Sequence, residues 1–256
     1  MRKFEEIWAE VLHFIANIRP WLLDSFFPAY CLGCKGEGGF LCERCFEKFV
    51  RIEEQGCPWC YTPRRGGACC LNCVNKGFLD GVIVGRRFEE GSLLQKAIHQ
   101  LKYDFVEELA LPLGKFLAES LKEGLAGESL EPFVLCPLPL HPQRYRWRGF
   151  NQSELLCREV ARRDGLEYKN LVKRVHFSRP QMELSREERL KNVEAAFEVL
   201  RFDSEDSSHL SRIPLEKTVL LVDDIATTLS TLNNAAKALK KAGYKRVYGL
   251  VLARVF

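Results

Sequence analysis

From residue 80 onward the apolar positions of this chain change period again and again, and each change marks an element. "DGVIVGRRF" (80–88) and "FVLCPLPL" (133–140) are short apolar runs of the kind that suits a strand in a buried sheet, and "RVYGLVLAR" (246–254) is a third. Between them "SLLQKAIHQLKY" (92–103), "VEELALPLGKFLAESLKEGL" (106–125) and residues 151–163 space their apolar side chains as helices do, the second bent near Pro112. Shorter strands are expected near "LVKRV" (171–175) and "AAFEVLR" (195–201), on either side of a loop-rich stretch. Val219, Leu220, Leu221 and Val222 form an unbroken aliphatic strand, buried on both faces, with Asp223 and Asp224 at its C-terminal edge. Residues 232–242, "LNNAAKALKKA", are good helix formers that stop at Gly243, so Thr227, Thr228, Ser230 and Thr231 fall in the turn entering a helix. Strands alternating with helices predict a parallel α/β sheet, in which ligands collect beyond the C-terminal strand ends. That rule brings the two aspartates, the hydroxyl-rich turn and the loop after Pro139 to one rim.

The first 28 residues are patterned differently. Trp8, Leu12, Phe14 and Ile15 mark an amphipathic helix, and Trp21, Leu22, Leu23, Phe26 and Phe27 add a second apolar cluster. These either pack on the rest of the protein or contact a partner or membrane surface. Glu5, Glu6 and Glu10 interrupt what would be the apolar region of a signal peptide, and no run approaches the roughly 18 apolar residues of a membrane span, so a cytoplasmic protein is expected. With 256 residues, 46% hydrophobic and 28% charged, the chain is long enough to bury a proper core in one large or two modest domains.

Eleven cysteines change the picture, because nine of them fall between Cys31 and Cys73 and only Cys136 and Cys157 lie beyond. Eight of the nine form C-x-x-C pairs: Cys31 and Cys34, Cys42 and Cys45, Cys57 and Cys60, Cys70 and Cys73. A C-x-x-C turn aims two thiolates at one metal, and two such turns complete the tetrahedral shell of zinc. Eight ligands imply two structural zinc ions, most simply with the first two pairs on one and the last two on the other, a crossed pairing being the alternative, and Cys69 left over. Disulfides do not suit a cytosolic chain, and the Gly-rich and basic turns between the pairs look more like zinc ribbons than an iron–sulfur site.

Charge is also uneven. Between His141 and Arg174 nine Lys or Arg residues face four acids, a net of +5 against +4 for the whole chain. Within this stretch Arg144, Tyr145, Arg146, Trp147 and Arg148 alternate cations with aromatics. In an extended loop that pattern puts the two rings on one side and the three arginines on the other, as a groove that tracks a nucleic-acid strand requires. The same arginines can instead hold a diphosphate while the rings pack. His99, His141, His176 and His209 show no ligand spacing.

Several motifs together carry a resemblance. "VLLVDDIATTLSTL" (219–232) resembles the phosphoribosyl-diphosphate signature of the type I phosphoribosyltransferases. "PLPLHPQRYRWRGFNQSELL", containing Arg148, Gly149, Phe150, Asn151 and Gln152, narrows the likeness to the ComF competence family. "RPQMELSREERLKNVEAAF", with Gln181, Leu184, Arg189, Asn192 and Phe197, and "FP" ahead of the paired cysteines point the same way. The resemblance covers nearly the whole chain. It implies an N-terminal segment (1–28), a double zinc ribbon (29–77) and a parallel-sheet phosphoribosyltransferase-like domain (78–256). It further implies a role in natural transformation and DNA uptake beside the competence helicase and recombination-mediator proteins, with single-stranded DNA as a ligand. By the same likeness Asp223 and Asp224 would accept hydrogen bonds from the ribose hydroxyls. Ala226, Thr227, Thr228, Leu229, Ser230 and Thr231 would hold the 5-phosphate at a helix N-terminus, and Mg2+ would arrive with the diphosphate.

Leu229 departs from the signature, which has glycine there. A leucine in left-handed geometry costs about 1–2 kcal/mol, so the loop is expected to form if residue 229 takes a negative φ and turns its side chain away. Two functions of different class follow. The first is a competence module that binds single-stranded DNA and phosphoribosyl diphosphate on a transferase fold; the second is an active phosphoribosyltransferase acting on a nucleobase-like acceptor. Capping of a helix is the bland role for the Asp223 and Asp224 pair.

Overall fold

The computed structural model describes residues 29–49, 52, 54–125, 132–175, 197–200 and 213–255. The amphipathic N-terminal helix, Gln181, Leu184, Arg189, Asn192, His176 and His209 lie outside the described residues. The chain divides into two compact units, residues 1–49 and 50–256.

In the first unit the chain folds on its cysteines. Cys31 N–H bonds to Gly36 O at 2.8 Å and Lys35 N–H to Cys31 O at 2.9 Å. Lys35, the residue after the first C-x-x-C, takes φ +63°, and the short helix α1 (Glu43–Phe46) begins inside the next pair. The second unit repeats this turn at its own start. Cys57 N–H bonds to Thr62 O at 2.8 Å, Tyr61 N–H bonds to Cys57 O at 3.0 Å, and Tyr61 takes φ +62°. The left-handed residue after the first C-x-x-C of each quartet, Lys35 and Tyr61, bends the chain back at that pair.

The body of the second unit is a five-stranded sheet of β1 (Gly81–Arg87), β2 (Phe133–Pro137), β3 (Glu167–Tyr168), β6 (Thr218–Ala226) and β7 (Arg246–Arg254), in the order β1-β7-β6-β2-β3. Every neighbouring pair is parallel. A two-stranded antiparallel ladder pairs β4 (Val172–Arg174) with β5 (Phe197–Val199). The helices are α2 (Leu93–Tyr103), α3 (Ala110–Leu125), α4 (Pro142–Arg148), α5 (Gln152–Asp164) and α6 (Ser230–Lys241). Period-2 alternation along β6 sends Val219 and Leu221 into one core with Leu232, Ala235, Ala236 and Leu239 of α6. Leu220 and Val222 face the other way and are equally buried. Helices α3 and α5 pack on each other, with α3 on β1 and β7 and α5 on β2 and β6.

Three expectations are corrected here. Strand β6 does not stop at Val222 but runs on to Ala226, because Asp223 and Ile225 stay in register with Val251 and Ala253 of β7. Pro112 does not bend a helix: α3 begins at Ala110 after a 3-10 turn, so the proline sits in the first turn, where its missing N–H breaks no bond. Residues 144–148 are helical, not extended. His141 caps α4 through its side chain, Pro142 opens it and Gly149 closes it at φ +85°.

Candidate functional site

The two cysteine groups separate as sequence order predicts: Cys31, Cys34, Cys42 and Cys45 form one quartet, Cys57, Cys60, Cys70 and Cys73 the other, and in each all four sulfurs lie within 4.8 Å of one another. All are free thiols. Closest approaches of 3.6 Å, Cys34 to Cys42 and Cys60 to Cys70, are near the edge of a sulfur tetrahedron around zinc, about 3.8 Å for Zn–S bonds of about 2.3 Å. Backbone amides already turn toward the sulfurs, Cys42 N–H to Cys31 Sγ and Cys70 N–H to Cys57 Sγ, both at 3.4 Å. Burial opposes the thiolate at Cys57, but the amides of Cys70, Trp59 and Cys60 outweigh it and hold its pKa down at about 6. Each quartet therefore fits a closed, structural zinc. Cys69 belongs to neither, and burial, with the neighbouring cysteines, pushes its thiol up to about 11.

The second quartet is built into the sheet unit. Arg254, at the end of β7, donates to Pro58 O at 2.6 Å and lies 4.8 Å over the Tyr61 ring. Cys69 N–H bonds to Asp80 O at 2.7 Å, just ahead of β1.

At the C-terminal ends of the strands, Asp223 and Asp224 come together with parts of three helices. As consecutive strand residues they point to opposite sides of β6. Asp223 is half-buried; its Oδ1 accepts from the Ser153 hydroxyl at 3.1 Å and from Asp224 N–H at 2.9 Å. Asp224 is only 2% exposed, and its Oδ1 meets Lys102 Nζ of α2 at 2.7 Å and accepts Ile225 N–H at 2.6 Å. Its Oδ2 is buried with no hydrogen-bond partner among the described residues. Burial first, then the Asp224 charge, push the Asp223 carboxyl up to about 7, against the opposing pull of Lys102, the Asp224 amide and Ser153.

The segment from Arg148 to Gln152 locks this rim. Asn151 caps α5 by accepting Ser153 N–H at 3.1 Å, and its Nδ2 donates to Leu138 O at 3.1 Å, just beyond β2. Ser153 is thereby set against Asp223. Arg148 is 8% exposed, donates from a terminal nitrogen to Gln152 Oε1, and feels the charge of Asp224. Its Nε, too, is buried without a hydrogen-bond partner among the described residues.

Ala226, the last residue of β6, is buried, while Thr227, Thr228 and Ser230 beyond it are exposed around the start of α6. Thr228 Oγ1 donates to Ser230 Oγ at 3.0 Å. Leu229 takes φ +62°, ψ 2°, not the negative φ expected, and its side chain is 3% exposed in the core beside Ala226 and Leu232. The loop keeps the backbone that glycine would allow; burying the leucine, worth about 1.5–3 kcal/mol, offsets a strain of about 1–2 kcal/mol.

The basic stretch is sorted by its partners. Arg158 pairs with Glu154, Arg162 and Arg163 with Glu159, Lys169 with Glu167 and Lys173 with Glu198. No carboxylate of the described residues lies within ion-pair distance of Arg144, Arg146 or Arg148, so the uncompensated charge gathers on α4. Tyr145 and Trp147 are 48% and 59% exposed, but on a helix they no longer share one side. Lys102 was not singled out in the sequence: nothing in local spacing ties it to a strand more than a hundred residues away.

No family model matches the chain. Among curated proteins it is 31% identical over 222 residues to Competence protein ComFC of Streptococcus pneumoniae, covering 86% of this chain and 90% of that protein. Competence protein F of Haemophilus influenzae is 29% identical over 241 residues, covering 90% of this chain and 99% of its own length. DNA utilization protein YhgH of Escherichia coli is 27% identical over 238 residues, covering 89% and 97%. With paired cysteines, an all-parallel five-stranded sheet and these relatives along nearly its whole length, the chain belongs to the ComF family of competence proteins.

Proposed function

We propose that the protein serves DNA uptake by binding single-stranded DNA and phosphoribosyl diphosphate at the rim of its parallel sheet. Its relatives' names, competence and DNA utilization proteins, support the role. The observation that carries the ligand is a pair of orphaned groups of opposite sign, Asp224 Oδ2 and Arg148 Nε, both buried at one rim. A buried acceptor and a buried donor without partners each cost about 1–3 kcal/mol. A ligand that carries hydroxyl donors and anionic acceptors satisfies both, and phosphoribosyl diphosphate carries both. Asp223 and Asp224 would take the ribose hydroxyls from either side of the strand end, the 226–231 loop the 5-phosphate, and Arg148 with Arg144 the diphosphate. Mg2+ bound with the diphosphate would supply charge neutralisation, with Asp223 as the more accessible carboxylate toward it. The phosphates of a DNA strand would lie along Arg144 and Arg146 of α4. Competence helicase and recombination-mediator proteins are the proposed partners, in the cytoplasm; among the described residues no helix is long and apolar enough to cross a membrane.

The test is calorimetry with phosphoribosyl diphosphate and Mg2+, repeated with an unstructured oligonucleotide present. Binding of the diphosphate ligand that weakens when the strand is bound supports one shared rim. No heat with either ligand would sink the proposal, and production of diphosphate when nucleobases are added would establish the transferase reading instead.

A further inference from the structure

Next to the rim, the end of α2 and the following turn carry aromatic rings that no core claims. The Phe105 ring centroid lies 5.2 Å from that of Trp147 at 70°, Tyr103 lies 6.3 Å from Trp147, and His99 lies 4.8 Å from Tyr103. Yet Tyr103, Phe105 and Trp147 are 49%, 42% and 59% exposed. Single exposed aromatics are ordinary; three joined through Trp147, from two separate segments, are a built surface. The chain accepts strain to hold it, since Phe105 takes φ +57°, a left-handed conformation that is an outlier for a bulky side chain.

Its surroundings are cationic. The Arg148 guanidinium lies 5.7 Å from the Tyr103 ring, Arg144 and Arg146 stand exposed on α4, and Lys102, which holds Asp224, is the residue before Tyr103. We propose that Tyr103, Phe105 and Trp147 form a base-stacking shelf on which one nucleobase of a single strand lies, while Arg144 and Arg146 hold the adjoining phosphates. Charge selects this occupant, because rings flanked by uncompensated arginines suit an anionic strand whose every base offers a flat face. The shelf rests on the reading of the rim as strand-binding, and it deepens that reading by adding residues of α2 and its turn to α4.

The experiment compares a short oligothymidine, an abasic strand of the same length and thymidine monophosphate, using the full chain. Phe105→Ala should weaken oligothymidine roughly five- to 150-fold, the effect of about 1–3 kcal/mol expected for one stacked base. Phe105→Tyr should keep wild-type affinity, which separates loss of the ring from disturbance of the turn. The abasic strand should bind weakly and ignore Phe105→Ala. Oligothymidine should quench tryptophan emission in the wild type, and that quench should vanish in Trp147→Phe. Equal affinity for abasic and base-bearing strands would overturn the shelf while leaving strand binding at the rim intact. Quenching by the monophosphate but not by the strand would overturn the strand as its occupant. Failure of the wild type to bind either strand would remove strand binding from the rim and the shelf with it.

Discussion

Lys102 Nζ sits 2.7 Å from Asp224 Oδ1, joining the last turn of α2 to the end of the central strand, with the lysine side chain 18% and the aspartate side chain 3% exposed. Removing one partner of so buried a pair leaves a charge without compensation. Lys102→Met should therefore destabilise the protein by about 3–5 kcal/mol in urea denaturation, and adding Asp224→Asn should recover part of the loss. A single variant as stable as the wild type would mean that water already compensates Asp224.

Asp223 should make the proposed ligand binding depend on pH. Its carboxyl is raised from the ordinary 3.8 to about 7, so the fold favours the protonated form and loses stability as pH rises from about 4 through 7. A ligand that needs the ionised carboxylate must release that proton on binding. Affinity for phosphoribosyl diphosphate should then climb between about pH 6 and 8 in the wild type. The climb should be smaller in Asp223→Asn, where only the ligand's phosphates titrate; parallel profiles would exclude Asp223 from the contact.

Leu229 carries opposed effects that two variants separate. Leu229→Ala keeps the positive φ and loses the packing, and should cost about 2–5 kcal/mol. Leu229→Gly loses the same packing but relieves about 1–2 kcal/mol of strain, so it should be less stable than the wild type yet no less stable than Leu229→Ala. A glycine variant more stable than the wild type would show that the buried leucine does not repay its backbone.

Metal analysis should find two zinc ions per chain, one per quartet. Their loss should have unequal effects. Because Arg254 ties Pro58 and Tyr61 to the end of β7, and Val255 N–H bonds to Ala226 O at 3.0 Å, Cys57→Ser should weaken ligand binding at the rim. Cys34→Ser, in the other unit, should lower zinc content by one ion and leave that affinity unchanged. Equal effects of the two variants would contradict the route through Arg254.

On α4, Arg144→Ala and Arg146→Ala should each reduce the salt dependence of oligonucleotide binding by roughly 0.7 log units per decade of salt. An unchanged slope in the double variant would return these arginines to the diphosphate alone.

The sequence showed most where one property is enough to define an element. Residues 219–222 read as strand because burial on both faces leaves only aliphatics, and C-x-x-C spacing marked the four cysteine pairs, which the fold joins in sequence order into two quartets. The continuation of β6 through Asp223 and Asp224 was hidden, since carboxylates do not read as strand and only register with β7 keeps them there. On 142–148 two signals competed. Alternating cations and rings argued for an extended loop, but Pro142 at the start and Gly149 at the end, which that reading did not weigh, set the helix that forms. Lys102, Tyr103 and Phe105 carried no signal at all, because their partners at 224 and 147 are neighbours only in the folded chain.

Leu229 also bears on when the site comes into being. A glycine at that position visits positive φ freely in the unfolded chain, so a loop built on it can take shape before the rest of the protein. A leucine has no reason to leave negative φ until the pocket beside Ala226 and Leu232 exists to receive its side chain. The loop ahead of α6 therefore acquires its shape only as that part of the core closes, and a chain still short of its native packing has no loop of this shape to offer an anion.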